Sequence, residues 1–164
     1  MAQLNFRGTP AQTKGELPKL GTTLNFNQLV KNDLSVVSVA EYGKKRKVLN
    51  IFPSIDTGVC ATSVRQFNKM AGELSNTVVL NISLDLPFAQ ARFCGAEGIK
   101  NVETLSGFRS KFGDECGLVL QDTPLVGLYA RAVIVLNEDN QVIHTEMVSD
   151  IVNEPNYEAV LKIL

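Results

Sequence analysis

At 164 residues with 45% hydrophobic content, the chain holds enough apolar material for one buried core and little for a second, so a single domain over residues 1–164 is expected. Sixteen basic and seventeen acidic residues leave a net charge of −1, and their interleaving gives no basic field for nucleic acid or an anionic membrane. No apolar stretch in Met1–Thr13 can serve as a signal-peptide core and no run approaches transmembrane length, so a cytoplasmic location is expected.

In chain order, Ala2–Phe6 and Thr13–Leu17 are predicted to pair as an N-terminal hairpin across Gly8-Thr-Pro10. Leu34–Val39 and Lys47–Phe52 follow as strands, with Lys44-Lys-Arg-Lys47 between them as a solvated basic loop. Val64, Phe67, Ala71 and Leu74 recur at helical spacing, predicting a helix from near Thr57 to about Leu74. Thr77–Ser83 reads as a mostly apolar strand. Pro87–Phe93 is a short helix started by Asp85 and Pro87 and stopped at Gly95, and Asn101–Leu105 is another strand. Phe108–Phe112 forms a helical turn. Ala132–Leu136 and Gln141–Val148 form an antiparallel hairpin across Asn137–Asn140, and Glu154–Ile163 closes the chain as an amphipathic helix. Repeats, low-complexity tracts and linkers are lacking, and the order predicts a three-layer α/β domain with a mixed sheet.

The most informative stretch is Pro53-Ser-Ile-Asp-Thr-Gly-Val-Cys60, which sets a thiol where a strand turns into a helix. In a first helical turn, unpaired amides and the positive end of the macrodipole stabilise negative charge, the condition for a reactive thiolate. Thr57 is placed to cap that helix, with its hydroxyl also able to approach the sulfur. Pro53 stiffens the loop and shields one side of the thiol. A plain core cysteine sharing a face with Val64, Phe67 and Ala71 is the competing reading; the cap, the proline and the turn together favour chemistry.

The string Pro53-x-x-x-Thr57-x-x-Cys60 resembles the peroxiredoxin active-site motif. Phe52–Phe67, Asp85-Leu-Pro-Phe-Ala-Gln-Ala-Arg-Phe-Cys-Gly-Ala-Glu-Gly98 and Tyr129-Ala-Arg-Ala-Val-Ile-Val-Leu136 extend the similarity, in order and over nearly the whole chain, to the bacterial thiol peroxidases, an atypical two-cysteine peroxiredoxin subfamily. The resemblance implies a thioredoxin fold, its mixed central sheet flanked by helices and extended by an N-terminal β-hairpin. It implies a thiol-dependent peroxidase acting on hydrogen peroxide or on alkyl and lipid hydroperoxides, thioredoxin as the reductant, and a homodimer. Neither metal nor organic cofactor is required, and one histidine with three dispersed cysteines lacks zinc-ligand spacing. Gly58 stands where many other peroxiredoxins carry proline; where the backbone suits proline the difference is roughly 0.4–1 kcal/mol.

On that resemblance Cys60 attacks the peroxide, Arg131 contacts the reactive sulfur, and Cys94 resolves the oxidised product as an intramolecular disulfide. Physical chemistry agrees with the division: Cys94 lies at the C-terminal end of its predicted helix, where the dipole disfavours a thiolate, and a guanidinium stays charged and offers several donors. A disulfide needs Cα atoms within roughly 7 Å, so one or both helices are expected to unwind during the cycle, eased by Gly95 and Gly98. Phe93 and Leu128 would suit bulky hydroperoxides. Cys116 is read as a structural thiol. Two other functions compete. One is a redox sensor or holdase whose disulfide switches a surface without turnover. The other is a cysteine hydrolase using Cys60, His144 and a carboxamide or carboxylate such as Asp150.

Overall fold

The computed structural model covers residues 1–164. Arg7 and Gly8 both adopt left-handed backbone, φ 52° and 79°, and so build the two-residue turn that matches strand twist. They join β1 (Gln3–Phe6) to β2 (Thr9–Gln12) as a two-stranded antiparallel hairpin. The return strand is therefore Thr9–Gln12 rather than the expected Thr13–Leu17, and Pro10 lies inside it. An edge strand has no need of a proline N–H.

β3 (Leu29–Val30) and β4 (Val36–Val37) form a short hairpin. Its turn holds Leu34 at φ 74° and is fixed by Asp33 Oδ1, which accepts from Ser35 N at 2.9 Å and Ser35 Oγ at 2.5 Å. The strand expected over Leu34–Val39 thus shrinks to two residues, followed by a 3-10 turn at Val39–Tyr42.

β5 (Arg46–Ile51) leads through the Pro53–Thr57 loop into α1 (Gly58–Ala71), which stops at Gly72, three residues before the expected end. The preceding basic cluster is not simply solvated. Lys47 is fully buried, its Nζ donating to Gly43 O at 2.7 Å and Asn140 Oδ1 at 2.6 Å, while Lys44 pairs with Asp139. β6 (Thr77–Ser83) precedes α2 (Pro87–Glu97), which runs past Gly95 and ends at Gly98, whose φ of 66° makes it the true left-handed cap. β7 is Glu103–Ser106 and α3 Phe112–Glu115, the latter starting where the predicted turn ended. β8 (Ala132–Leu136) and β9 (Val142–Met147) form the expected hairpin. α4 (Tyr157–Ile163) starts later than predicted because Asn156 caps it, its Oδ1 accepting from Ala159 N at 3.1 Å.

One seven-stranded sheet runs in the order β4-β3-β7-β6-β5-β8-β9. Its centre is parallel, β5 with β6 and β6 with β7, and both flanks are antiparallel. Alternation assigns its faces. Leu49, Ile51, Leu80, Ile82, Leu105 and Ile134 pack on one side against Phe26, Phe112 and Tyr129. Val48, Val79, Val133 and Val135 pack on the other against Phe67 of α1 and Val160 of α4. Truncating Phe67 to alanine would cost about 3–5 kcal/mol. The mixed sheet flanked by helices is as expected, with the N-terminal hairpin outside it. The Tyr129 ring fills the space in which a side chain at Gly107 or Gly113 would have to sit.

The α1 face of the sheet is interrupted by polar residues. Asn50, Asn81 and Thr104 stand side by side on three adjacent strands, all buried.

Candidate active site

Cys60 is the third residue of α1 and has no exposed surface, packed among Phe52, Ile55 and Val64. Arg131, immediately before β8, is 1% exposed rather than a strand-edge side chain with its head in water. Its Nη2 donates to Cys60 Sγ at 3.1 Å and its Nε to Ile151 O at 2.8 Å. Nη1 is buried without a partner. A fixed positive charge against the sulfur stabilises a thiolate, and the spare N–H is left for another acceptor.

A pocket of about 300 Å³ borders Arg131 and the residues just before Cys60, lined by Pro53, Thr57, Gly58, Val59 and Arg131 together with the hairpin tip and the Ile151 segment. The helix start supplies further donors, because the amides of Gly58 and Val59 precede the first intrahelical bond, Ala61 N to Thr57 O at 3.0 Å. Apolar walls come from Phe6, Leu125, Ile151 and Val152; Phe93 packs instead against the Cys60 cluster, and Leu128 is not part of the pocket.

Thr57 occupies the cap position with extended backbone, φ −94° and ψ 149°, yet its hydroxyl caps nothing. Both its N–H and its Oγ1–H are directed to Ser54 O, at 3.3 and 3.1 Å, because Ser54–Thr57 folds into a turn.

Asp85 holds that turn from outside. Its carboxylate accepts from Ile55 N at 2.7 Å, Ser54 Oγ at 2.8 Å and Ser83 Oγ at 2.6 Å. In the sequence it reads as a helix-start signal, but Leu86 is the cap residue of α2 and Asp85 serves the loop before Cys60. An acidic residue after an apolar strand, near an unpaired serine loop, was the only hint of this role.

Cys94 sits on α2, half-buried, in the last turn before the Gly98 cap, at the C-terminal end of a helix whose stop lies three residues beyond the expected Gly95. Its sulfur lies 3.7 Å from Thr104 Oγ1. Cys60, Cys94 and Cys116 are all free thiols. The helices that carry the first two are clasped: Arg65 of α1 donates to both carboxylate oxygens of Glu97 on α2, at 2.8 and 3.2 Å, and Arg92 pairs with Asp56 at 3.4 Å.

Cys116 is fully buried, and burial first, with Glu115 second, pushes its thiol up to about 12. His144 pairs across from Val135 on β9, its Nε2 without a partner. Asp150 accepts from the amides of Arg7, Gly8 and Val152. Cys60, His144 and Asp150 therefore share no hydrogen bond, and the hydrolase arrangement is not assembled. No group of three His, Cys, Asp or Glu side chains is placed to hold a metal ion, and no helix is long and apolar enough to cross a membrane.

The redoxin family model matches residues 11–161. A thiol peroxidase from Corynebacterium glutamicum is 52% identical over 164 residues, covering 100% of this chain and 99% of that protein. A peroxiredoxin-like protein from Aquifex aeolicus superposes with a TM-score of 0.92 at 33% identity, over 99% of this chain and 96% of the other. The thiol peroxidase from Chromobacterium violaceum shares the fold with a TM-score of 0.90 at 20% identity, over 98% and 94% of the two chains. The sheet and helices above are accordingly a thioredoxin fold. The chain belongs to the redoxin family, as a peroxiredoxin enzyme of the thiol peroxidase type.

Proposed function

We propose that residues 1–164 act as one catalytic domain that reduces hydroperoxides at Cys60 and resolves the product with Cys94. The observation that carries this reading is the 3.1 Å bond from Arg131 to Cys60 Sγ, made by an arginine that also lines the neighbouring pocket and keeps its Nη1 without a partner. A peroxide entering that pocket meets the thiolate along its O–O bond. Cys60 takes one oxygen and is oxidised by two electrons to a sulfenic acid, while the second oxygen leaves with the electron pair and gains a proton as water or an alcohol. Arg131 and the free amides at the start of α1 stabilise charge on the departing oxygen. Pro53 and Thr57 shape the pocket's wall, and its apolar side accommodates alkyl and lipid hydroperoxides as well as hydrogen peroxide.

Cys94 then condenses with the sulfenic acid, losing its proton as the hydroxyl leaves in water, and a Cys60–Cys94 disulfide remains. Each thiol rests against a different partner, Arg131 or Thr104, so the first turn of α1, α2 or both unwind to bring them together. Thioredoxin reopens the disulfide by exchange through a mixed disulfide. A homodimer in the cytoplasm is part of the same reading.

The test is intact mass after one equivalent of peroxide, followed by peptide mapping. A loss of two hydrogens with a Cys60–Cys94 crosslink is expected. One added oxygen at Cys60 without a crosslink removes Cys94 from the cycle, and an unreacted Cys60 defeats the proposal.

A further inference from the structure

The polar row across the sheet runs beneath both thiol-bearing helices. At its α1 end, Asn50 Nδ2 donates to Asn81 Oδ1 at 2.8 Å and Ser63 Oγ at 3.2 Å, and Ser63 Oγ donates to the carbonyl of Cys60 at 2.8 Å. Its other end is Thr104, 4% exposed, whose hydroxyl donates to Asn32 Oδ1 at 2.8 Å. With its one proton committed there, Thr104 Oγ1 turns its lone pairs to Cys94 Sγ, 3.7 Å away, and the thiol is the donor. Cys94 and Thr104 both border an open pocket of about 280 Å³, with Lys31, Asp33 and Glu103 on its other walls. Cys94 is therefore held by a single hydrogen bond and borders free volume.

We propose that Thr104 is a positioning residue for the resolving thiol: its hydroxyl holds Cys94 as a protonated donor in folded α2 and thereby sets how often that thiol is released to meet oxidised Cys60. The proposal rests on the reading of Cys94 as the resolving thiol. Release exchanges the Thr104 bond for water, and the disulfide forms as Cys94 gives up its proton and the sulfenic hydroxyl leaves as water. Removing the hydroxyl weakens only the held state, so the released fraction rises. Oxidation of Cys60, governed by Arg131 on the far side of β5 and β6 in the strand order, is a separate step.

Thr104→Val keeps the shape and removes the acceptor; Thr104→Ser keeps the acceptor. Reduced protein is mixed with hydrogen peroxide, quenched by alkylation at millisecond intervals and weighed intact, so that sulfenic acid and disulfide appear as separate masses. The valine variant is expected to form the Cys60–Cys94 crosslink about two- to tenfold faster after oxidation, the factor carried by one ordinary hydrogen bond, and the serine variant to return toward the wild-type rate. Equal crosslinking rates in wild type and the valine variant, or acceleration in valine and serine alike, overturn the role of Thr104 while leaving the two-cysteine cycle standing. Wild-type protein that oxidises without crosslinking overturns both.

Discussion

The guanidinium of Arg131 reaches Cys60 Sγ at 3.1 Å across 71 positions of sequence, and the same side chain is tied to the carbonyl of Ile151 at 2.8 Å. One fully committed arm fixes the head, a second meets the sulfur, and the third nitrogen is buried without a partner. Replacing Arg131 with methionine removes a charge-assisted bond worth about 1.5–3 kcal/mol. The second-order rate of Cys60 oxidation is expected to fall about 10- to 100-fold, measured by quenched mass analysis. Arg131→Lys should recover little of it, since a point charge cannot serve both acceptors. By contrast His144→Gln should leave that rate within about twofold; loss of activity there would revive the hydrolase reading.

Asp85 gathers three donors from the loop before Cys60 and from β6. Asp85→Ala leaves those donors unmatched in a partly buried site, a loss of about 1–3 kcal/mol, and frees the Pro53–Thr57 turn. Urea denaturation is expected to show the lower stability, and stopped-flow oxidation a slower reaction of Cys60. A stability loss with an unchanged rate would mean that the turn keeps its shape without this carboxylate.

The buried thiol of Cys116, raised to about 12 chiefly by burial, supplies almost no thiolate near neutral pH. Iodoacetamide at pH 8 should therefore label half-buried Cys94 well before Cys116 in the native reduced protein. Peptide mapping over time reads the order. Equal rates would place Cys116 in a far more open setting.

Two carboxylates near the surface give the fold an acid-sensitive margin. Glu97 is held below its ordinary range mainly by the Arg65 hydrogen bonds, and Asp150 by the Gly8 amide first and the Val152 amide second. Because both folded values lie below the unfolded ones, their stabilisation is complete above the normal carboxylate range and disappears as pH falls through the folded values. Glu97 is exposed and Asp150 only partly covered, so the contributions are small. Denaturant unfolding followed from pH 6 down to pH 3 should lose part of its slope in the Glu97→Gln, Asp150→Asn double variant. An unchanged slope would assign the acid sensitivity to other groups.

Long apolar runs made β5, β6 and β8 legible in the sequence, and helical spacing did the same for α1. Cys60, Pro53 and Thr57 fall together because they are close in the chain. Elements of two residues, such as β3 and β4, carry no period to read. The N-terminal hairpin slipped because two consecutive left-handed residues, Arg7 and Gly8, made its turn shorter than the Gly8–Pro10 punctuation suggested. Gly95 looked like a helix stop, but a glycine ends a helix only where the backbone turns left-handed, and that happens at Gly98. The contacts of Asp85, Thr104 and Ile151 depend on which strands end beside one another, which no local pattern records. Thr57 shows the finer limit: its position was readable, whereas the direction of its hydroxyl was decided by the carbonyl of Ser54.

The Tyr129 ring, lodged against Gly107 and Gly113, ties the history of three positions together. A larger residue at either glycine becomes admissible only once the aromatic ring has gone, and losing the ring first opens a void that neither glycine can fill. Drift at this corner of the molecule must therefore proceed by compensated pairs of changes, in an order that starts at Tyr129.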